Sequence, residues 1–124
     1  MGLFNAILGN ASSIDIEDVV EQLEGILFPG EKVESAFRVI RDKWVFTNKR
    51  LIIQDTQGVT GKKKEYYSIP YRSIERFSVE TAGTFDMDAE IKIWVRGCDE
   101  PLEQQFGRES NVAEVQRVLA QYVL

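Results

Sequence analysis

The central part of the chain consists of short apolar segments separated by turn residues, and this pattern most narrows the folds open to it. The β-branched and aromatic content of these segments predicts seven short strands. They cover about Glu34–Arg41, Lys43–Asn48, Arg50–Gln54, Lys64–Ser68, Ile74–Thr81, Glu90–Val95 and Glu103–Phe106. Short strands at this regular spacing favour an antiparallel sandwich or barrel.

The segment "AEIKIWVRG" shows the strand pattern most clearly, because its residues alternate strictly between apolar and polar. One face carries Ala89, Ile91, Ile93 and Val95, and the other carries Glu90, Lys92, Trp94 and Arg96. The alternation predicts a strand with one buried face. It also places Trp94 on the polar face, among charges.

Two segments with helical spacing flank the strands. The first is "SIDIEDVVEQLEGILFPGE", which Ser13 or Asp15 can cap and which Pro29-Gly30 ends. Its predicted apolar face consists of Ile16, Val19, Val20, Leu23, Ile26 and Leu27. The second is "NVAEVQRVLAQYVL", in which Asn111 and Glu114 are spaced as a capping box. Its apolar stripe must be buried, and the open end of a small barrel is the expected place.

Length and charge limit the class of protein. A chain of 124 residues is about the usual size of one domain; we expect a helical arm over residues 1–30 and the main body over residues 31–124. Its 15 basic and 20 acidic residues give a net charge of −5, which disfavours a nucleic-acid partner. Cys98 is the only cysteine, and no apolar run approaches the length of a membrane span. We therefore expect a cytoplasmic protein.

Two stretches carry a family resemblance, "FTNKRLIIQD" and "GVTGKKKEYYSIPYRSIERFSVETAGTFDMDAEIKIWV". They resemble the bacterial pleckstrin homology (PH) domain family, in particular its short, single-domain members. The resemblance implies a mainly β (α+β) fold, a PH-like barrel of two orthogonal antiparallel sheets. Seven strands, a C-terminal capping helix and an N-terminal helix make up that fold. It also implies assembly into a ring-shaped homo-oligomer, a pentamer, without defining a biochemical role.

Three consecutive lysines, Lys62, Lys63 and Lys64, follow a glycine-bearing loop. The spacing of Gly58 and Gly61 does not meet the phosphate-binding P-loop pattern. Adjacent strand residues point to opposite faces, so the three ammonium groups cannot all converge on one ligand once the strand has begun. We interpret the run as the solvated tip of a hairpin. The alternative is an anionic-lipid or phosphate site made with Lys43 and the three lysines.

Trp94 is the first candidate for an oligomer interface, together with its neighbours Lys92 and Arg96. A large aromatic side chain on a polar face is either half covered by a loop of its own chain or contacts another molecule, and tryptophan is enriched at interface hot spots. Trp44 and Phe46, two residues apart in another strand, are interpreted as core.

The N-terminal arm is the second interface candidate. Leu3, Phe4 and Ile7 would lie on one side of a short helix, which is too short to be stable alone. It could dock on its own barrel, on a neighbouring subunit or on a membrane. With no basic residue before Lys32, the membrane is the weakest of these, and docking on protein is preferred.

Catalysis finds little support in the sequence, which contains no histidine to act as a general base or metal ligand. Cys98 is interpreted as an incidental loop thiol. Asp86, Asp88 and Glu90 alternate in "TFDMDAE", and we interpret them as a hydrated acidic turn, with an enzyme using Asp86 or Asp88 as the alternative. We expect no catalytic residue, no cofactor and no metal site.

Together these observations predict a non-enzymatic interaction or scaffolding module that binds copies of itself, and the family resemblance implies that the assembly is a cyclic homo-oligomer. The sequence does not identify a further protein partner. The alternative function is an adaptor for an anionic lipid or phosphate ligand through the Lys62–Lys64 loop.

Overall fold

The computed structural model describes residues 10–81, 83, 88–107, 110 and 112–124. Within them lie eight strands and two α-helices. The strands are β1 (Asn10–Ser13), β2 (Val33–Val39), β3 (Asp42–Thr47), β4 (Arg50–Gln57), β5 (Lys63–Pro70), β6 (Ile74–Thr81), β7 (Ala89–Val95) and β8 (Leu102–Phe106). The helices are α1 (Ile16–Gln22) and α2 (Val112–Val123), and a single 3₁₀ turn, Tyr71–Ser73, joins β5 to β6.

The strands follow the order β5-β4-β3-β2-β1-β8-β7-β6. Strands β2 to β5 form one antiparallel meander and β6 to β8 form another. Short β1 joins the two, because it pairs antiparallel with β2 and parallel with β8. The order places β5 and β6 at its two ends, so each has an edge unpaired with another described strand.

The predicted fold class is confirmed: the protein is mostly β, with two antiparallel sheets, a C-terminal helix and a short N-terminal helix. All seven predicted strands are present, with ends shifted by at most three residues. The structure adds β1, whose sequence "NASS" lacks the β-branched and aromatic residues on which the prediction relied. Since β1 belongs to the sheet, part of the predicted arm is β structure. The division at residue 30 stays a prediction.

The main core fills the space between the two sheets and is closed by α2. Its larger fully buried side chains come from both sheets and from the helix: Phe37, Trp44, Phe46, Leu51, Ile53, Ile91, Ile93, Phe106 and Leu119. Val112, Val115 and Val118 of α2 are buried in the same cluster, which confirms that this helix buries its apolar stripe. The interpretation of Trp44 and Phe46 as core is confirmed as well.

A second, smaller core lies on the opposite face of the five-stranded sheet, which consists of β1 to β5. There α1 packs Val19 and Leu23 against Ala36, Val45 and Ile52. The helix is shorter than its sequence pattern predicts. It begins after Asp15, whose Oδ1 accepts a hydrogen bond from the Glu17 amide at 2.8 Å, and it ends at Gln22. The predicted apolar face is therefore only partly buried, and Ile16 and Val20 remain about 40% exposed.

Candidate functional site

The outer face of the three-stranded sheet carries the predicted Trp94 site. The register of β6 against β7 places Arg76 opposite Trp94, Ser78 opposite Lys92, and Glu80 opposite Glu90. Alternate residues of the same strands, such as Ile91 and Ile93, point inward and are buried. We call the outward-pointing residues of β6, β7 and β8 the outer face. The two α-helices pack elsewhere, on the opposite sheet and in the core between the sheets.

Trp94 is half-buried on the outer face, beneath an arginine. The Arg76 guanidinium carbon lies 4.5 Å from the centroid of the indole ring. Because the two residues are cross-strand partners, the ladder of β6 and β7 fixes this geometry. A cation over an indole face is attracted by the electron density of the ring. The indole is thus pre-positioned by its own chain while part of its surface faces solvent.

Lys92 and Arg96 lie near Trp94 in sequence but have different surroundings. Lys92 Nζ lies 3.9 Å from Glu90 Oε1, a weak ion pair on the outer face. Arg96 lies just beyond β7. Its amide donates to the Ser73 carbonyl at 2.7 Å, and its Nη2 donates to the Arg72 carbonyl at 3.4 Å. Lys92 therefore belongs to the face that carries Trp94, whereas Arg96 ties the end of β7 to the 3₁₀ turn.

The three lysines do not converge. Lys62 precedes β5, and Lys63 and Lys64 are its first two residues, paired with Gln57 and Thr56 of β4. Successive strand residues point to opposite faces, so Lys63 and Lys64 lie on opposite sides of the sheet. All three lysines are exposed.

A different set of cations does come together on the outer side of the five-stranded sheet. Arg38 of β2 lies directly opposite Lys43 of β3, a pairing of like charges that destabilises a sheet. Burial lowers the pKa of Lys43, and the positive charges of Arg38 and Lys64 lower it further. Among the described residues, none of these three cations has a carboxylate within 4.0 Å. We call Arg38, Lys43 and Lys64 the cation triad.

The remaining predicted sites are dispersed. Leu3, Phe4 and Ile7 lie outside the described residues, as does Asp86. Asp88 is exposed, and Glu90 pairs with Lys92. Cys98 is exposed in the turn after β7, where its amide donates to the Val95 carbonyl at 3.0 Å. The described part of the chain holds no group of three His, Cys, Asp or Glu side chains suited to a metal ion.

The sequence analysis did not identify Arg76 or Arg38 as candidate site residues. Arg76 and Arg38 matter because of the residues opposite them in neighbouring strands, and register depends on turn geometry as well as on the hydrophobic pattern. The alternation of polar and apolar residues in each strand indicates which face of the sheet each arginine lies on. It does not indicate which residue lies opposite the arginine in the neighbouring strand.

The fold defines the class of protein. A meander of four strands, a second meander of three and a final helix that plugs the space between them make a PH-like domain. Among the described residues, no helix is long and apolar enough to cross a bilayer.

Comparison with known proteins gives the family. The family model for the bacterial PH domain matches residues 2–123, nearly the whole chain. The chain belongs to the bacterial PH-domain family, as the sequence resemblance predicts.

Similar proteins include two from Bacillus subtilis (strain 168). The uncharacterized protein YjqA is 54% identical over 121 residues, which cover 97% of each chain. The uncharacterized protein YozO is 35% identical over 103 residues, which cover 83% of this chain and 88% of YozO. Neither name carries an enzymatic activity.

Two solved structures are also similar. One is a DUF1696 family protein with a pleckstrin-homology domain from Shewanella loihica PV-4, at a TM-score of 0.82 and 47% identity. The alignment covers 94% of this chain and 99% of that one. The other is a pleckstrin homology domain from Shewanella amazonensis SB2B, at a TM-score of 0.69 and 49% identity, with 99% of each chain covered.

Proposed function

We propose that the protein is a non-enzymatic PH-like interaction module that assembles with copies of itself into a cyclic homo-oligomer in the cytoplasm. The observation that carries this proposal is the half-exposed indole of Trp94, held under Arg76 on a sheet face that neither α-helix covers. The family resemblance implies five subunits.

Trp94 has the properties of an interface anchor. A tryptophan offers a large contact area with few torsions to immobilise, and Trp and Arg are enriched among hot-spot residues. Here the arginine and the tryptophan are already in contact, so little side-chain entropy remains to be lost on association. Lys92, Glu90 and Glu103 provide a polar rim around the pair.

Two strand edges that pair with no other described strand support a ring. β5 and β6 differ in sequence and end the strand order on opposite sides, so a contact that uses one edge with the neighbour's other edge is heterologous. Heterologous contacts produce a closed ring when the rotation between subunits closes. A ring presents each surface loop several times, so weak contacts with a further partner gain by avidity.

The test compares two charge substitutions by sedimentation velocity. Trp94→Glu places a carboxylate in the proposed contact and should reduce the assembled species to the monomer. Val59→Glu is the matched control, since Val59 is fully exposed at the tip between β4 and β5 and lies away from the outer face. Both variants should retain the wild-type circular dichroism spectrum. A Trp94→Glu variant that sediments like the wild type would refute the proposed interface.

A second candidate function is binding of a phosphate group, on a lipid or free, by the cation triad. Uncompensated like charges at Arg38 and Lys43 favour it, because a bound anion would relieve their repulsion. Burial is the main cause of the lowered pKa of Lys43, and the charges of Arg38 and Lys64 lower it further; a bound anion would oppose this shift. Lys62 and Lys63 take no part in this version of the site.

A lysine on the opposite side of the sheet provides the control. Lys43→Gln removes a member of the triad, whereas Lys63→Gln removes the same charge from the opposite side of the sheet. Vesicles containing phosphatidylglycerol and a titration with inorganic phosphate separate a lipid surface from free anion. Triad binding predicts a several-fold loss for Lys43→Gln and little change for Lys63→Gln. Equal losses would show that net charge alone is responsible.

A further inference from the structure

A small cavity lies at the junction of β1, α1, β2 and the first turn of α2. Its volume is about 80 Å³, well above the roughly 10–15 Å³ that a cavity needs to hold one water. Its polar lining consists of the carboxylates Glu34 and Glu114 and the hydroxyls Ser13 and Ser35. Ile14, Ile16 and Phe37 contribute to its apolar wall. The cavity is therefore acidic at one part of its surface and apolar at another.

Two oxygens at this junction are buried without a hydrogen-bond partner among the described residues, Glu34 Oε2 and Ser35 Oγ. Ser35 lines the cavity and is only 4% exposed. A buried polar atom with no partner costs about 1–3 kcal/mol, and more if it is charged. Both residues line the cavity, so a hydrogen-bond donor bound there would satisfy these oxygens.

Strand geometry and α2 hold these oxygens in place. The register of β2 against β3 shifts between Val33 and Ser35, so Glu34 sits at an irregularity of the strand. The Tyr122 hydroxyl of α2 donates to the Glu34 carboxylate, and this hydrogen bond raises the pKa of Tyr122. A bulge of this kind re-aims a side chain out of the regular alternation. The site is thus built on regular elements rather than on loops.

We propose that this cavity binds a primary alkylammonium group. An ammonium carries three N–H donors and no acceptor, which matches a lining of carboxylate and hydroxyl oxygens around an unpartnered Glu34 Oε2 and Ser35 Oγ. The apolar wall suits the methylene chain attached to it. A hard divalent cation fits less well, because calcium takes six to eight oxygen ligands and the described residues place no group of three acidic side chains here.

The group could come from a free aliphatic amine or from a lysine side chain of another copy of this chain. The binding chemistry is the same for both. Lys62, Lys63 and Lys64 are exposed at one hairpin, so a second copy could supply the ammonium. Only this second source would make the cavity part of the proposed oligomer, and the cavity's binding chemistry does not depend on that assembly.

The test is a titration of ¹⁵N-labelled protein with n-butylammonium chloride, followed by amide chemical shifts. We expect saturable shifts at Ser35 and Phe37. Tetramethylammonium, which has the same charge but no N–H donor, should not produce them. Glu114→Gln should weaken binding at least tenfold and Ser35→Ala several-fold. Glu75→Gln, which removes an exposed carboxylate of β6, should leave it unchanged. Thermal unfolding of each variant verifies the fold.

Equal shifts with tetramethylammonium, or equal weakening by Glu75→Gln and Glu114→Gln, would overturn the proposal. Binding that is unchanged in both single variants, Ser35→Ala and Glu114→Gln, would also overturn the proposal. The natural source of the ammonium group follows from the mass of the protein assembly, measured in saturating n-butylammonium. A lower mass identifies a lysine of a second copy as the natural ammonium. An unchanged mass with saturable binding identifies a free amine.

Discussion

Arg50 and Glu31 form a two-pronged ion pair in which the glutamate side chain is fully buried and the arginine partly buried. Arg50 Nη2 donates to Glu31 Oε1 and Nε donates to Oε2, both at 2.9 Å. Thr47 Oγ1 donates to the same Oε2 at 2.7 Å, and Arg50 Nη2 also donates to the Ile26 carbonyl at 2.9 Å. Burial alone would raise the pKa of Glu31, but the hydrogen bonds from Arg50 and Thr47 outweigh it and lower that pKa. The pair joins the segment after α1 to β3 and β4.

Removing Arg50 should therefore destabilise the protein strongly. Arg50→Met leaves the Glu31 carboxylate, whose side chain is fully buried, without its cation. Loss of one partner from a buried pair costs about 3–5 kcal/mol. Urea denaturation should show a decrease of that order in the free energy of unfolding. Arg117→Met, at an exposed position of α2, is the control and should change it little. Similar values for the two variants would contradict the structural role of the pair.

Tyr71 should make the protein unstable in alkali. Its hydroxyl donates to the Thr47 carbonyl at 2.6 Å, and burial, followed by the charge of Glu34, raises its pKa well above the usual range. The folded state therefore keeps the proton after the unfolded state has lost it. Stability is fully present below the unfolded pKa of about 10 and falls by about 1.4 kcal/mol per pH unit above it.

The measurement is the free energy of unfolding between pH 8 and pH 12 for the wild type and for Tyr71→Phe. The variant should be less stable at pH 8, because the Thr47 carbonyl loses a donor, and should show a shallower decline above about pH 10. Parallel curves would show that ionisation of Tyr71 does not cause the loss of stability above about pH 10.

Ile40 occupies a strained position that can be relieved. It lies in the tight turn between β2 and β3 with φ at +58°, and its side chain is 62% exposed. A β-branched residue in the left-handed region costs about 1–2 kcal/mol relative to the right-handed one. Ile40→Asn or Ile40→Gly should therefore raise the urea midpoint. Val59→Asn, at another exposed hairpin tip but outside the positive-φ residues, should not. A lower midpoint for both Ile40 variants would contradict this view.

Alternation in the sequence predicted the inward and outward faces of β7, because the apolar period follows directly from the pleat. It also predicted that Lys62, Lys63 and Lys64 cannot all converge on one ligand. The C-terminal stripe predicted the burial of Val115 and Leu119, since a helical period leaves one apolar face. These features are local, and local spacing is what a sequence displays.

The rest depends on contacts between distant segments. Glu31 and Arg50 are 19 residues apart, and they meet because the pairing of β2 with β3 places residue 31 beside the turn between β3 and β4. The pairing of Arg76 with Trp94, and of Arg38 with Lys43, likewise requires knowing which residues face each other across two strands. β1 escaped prediction because a segment of one alanine and three small polar residues forms a strand only where two other strands supply the hydrogen bonds.

Light scattering on the wild-type protein eluting from a size-exclusion column tests self-assembly most directly. At micromolar concentration the account predicts a single peak with five times the 14.2 kDa mass of one chain. A peak at 14.2 kDa would contradict it.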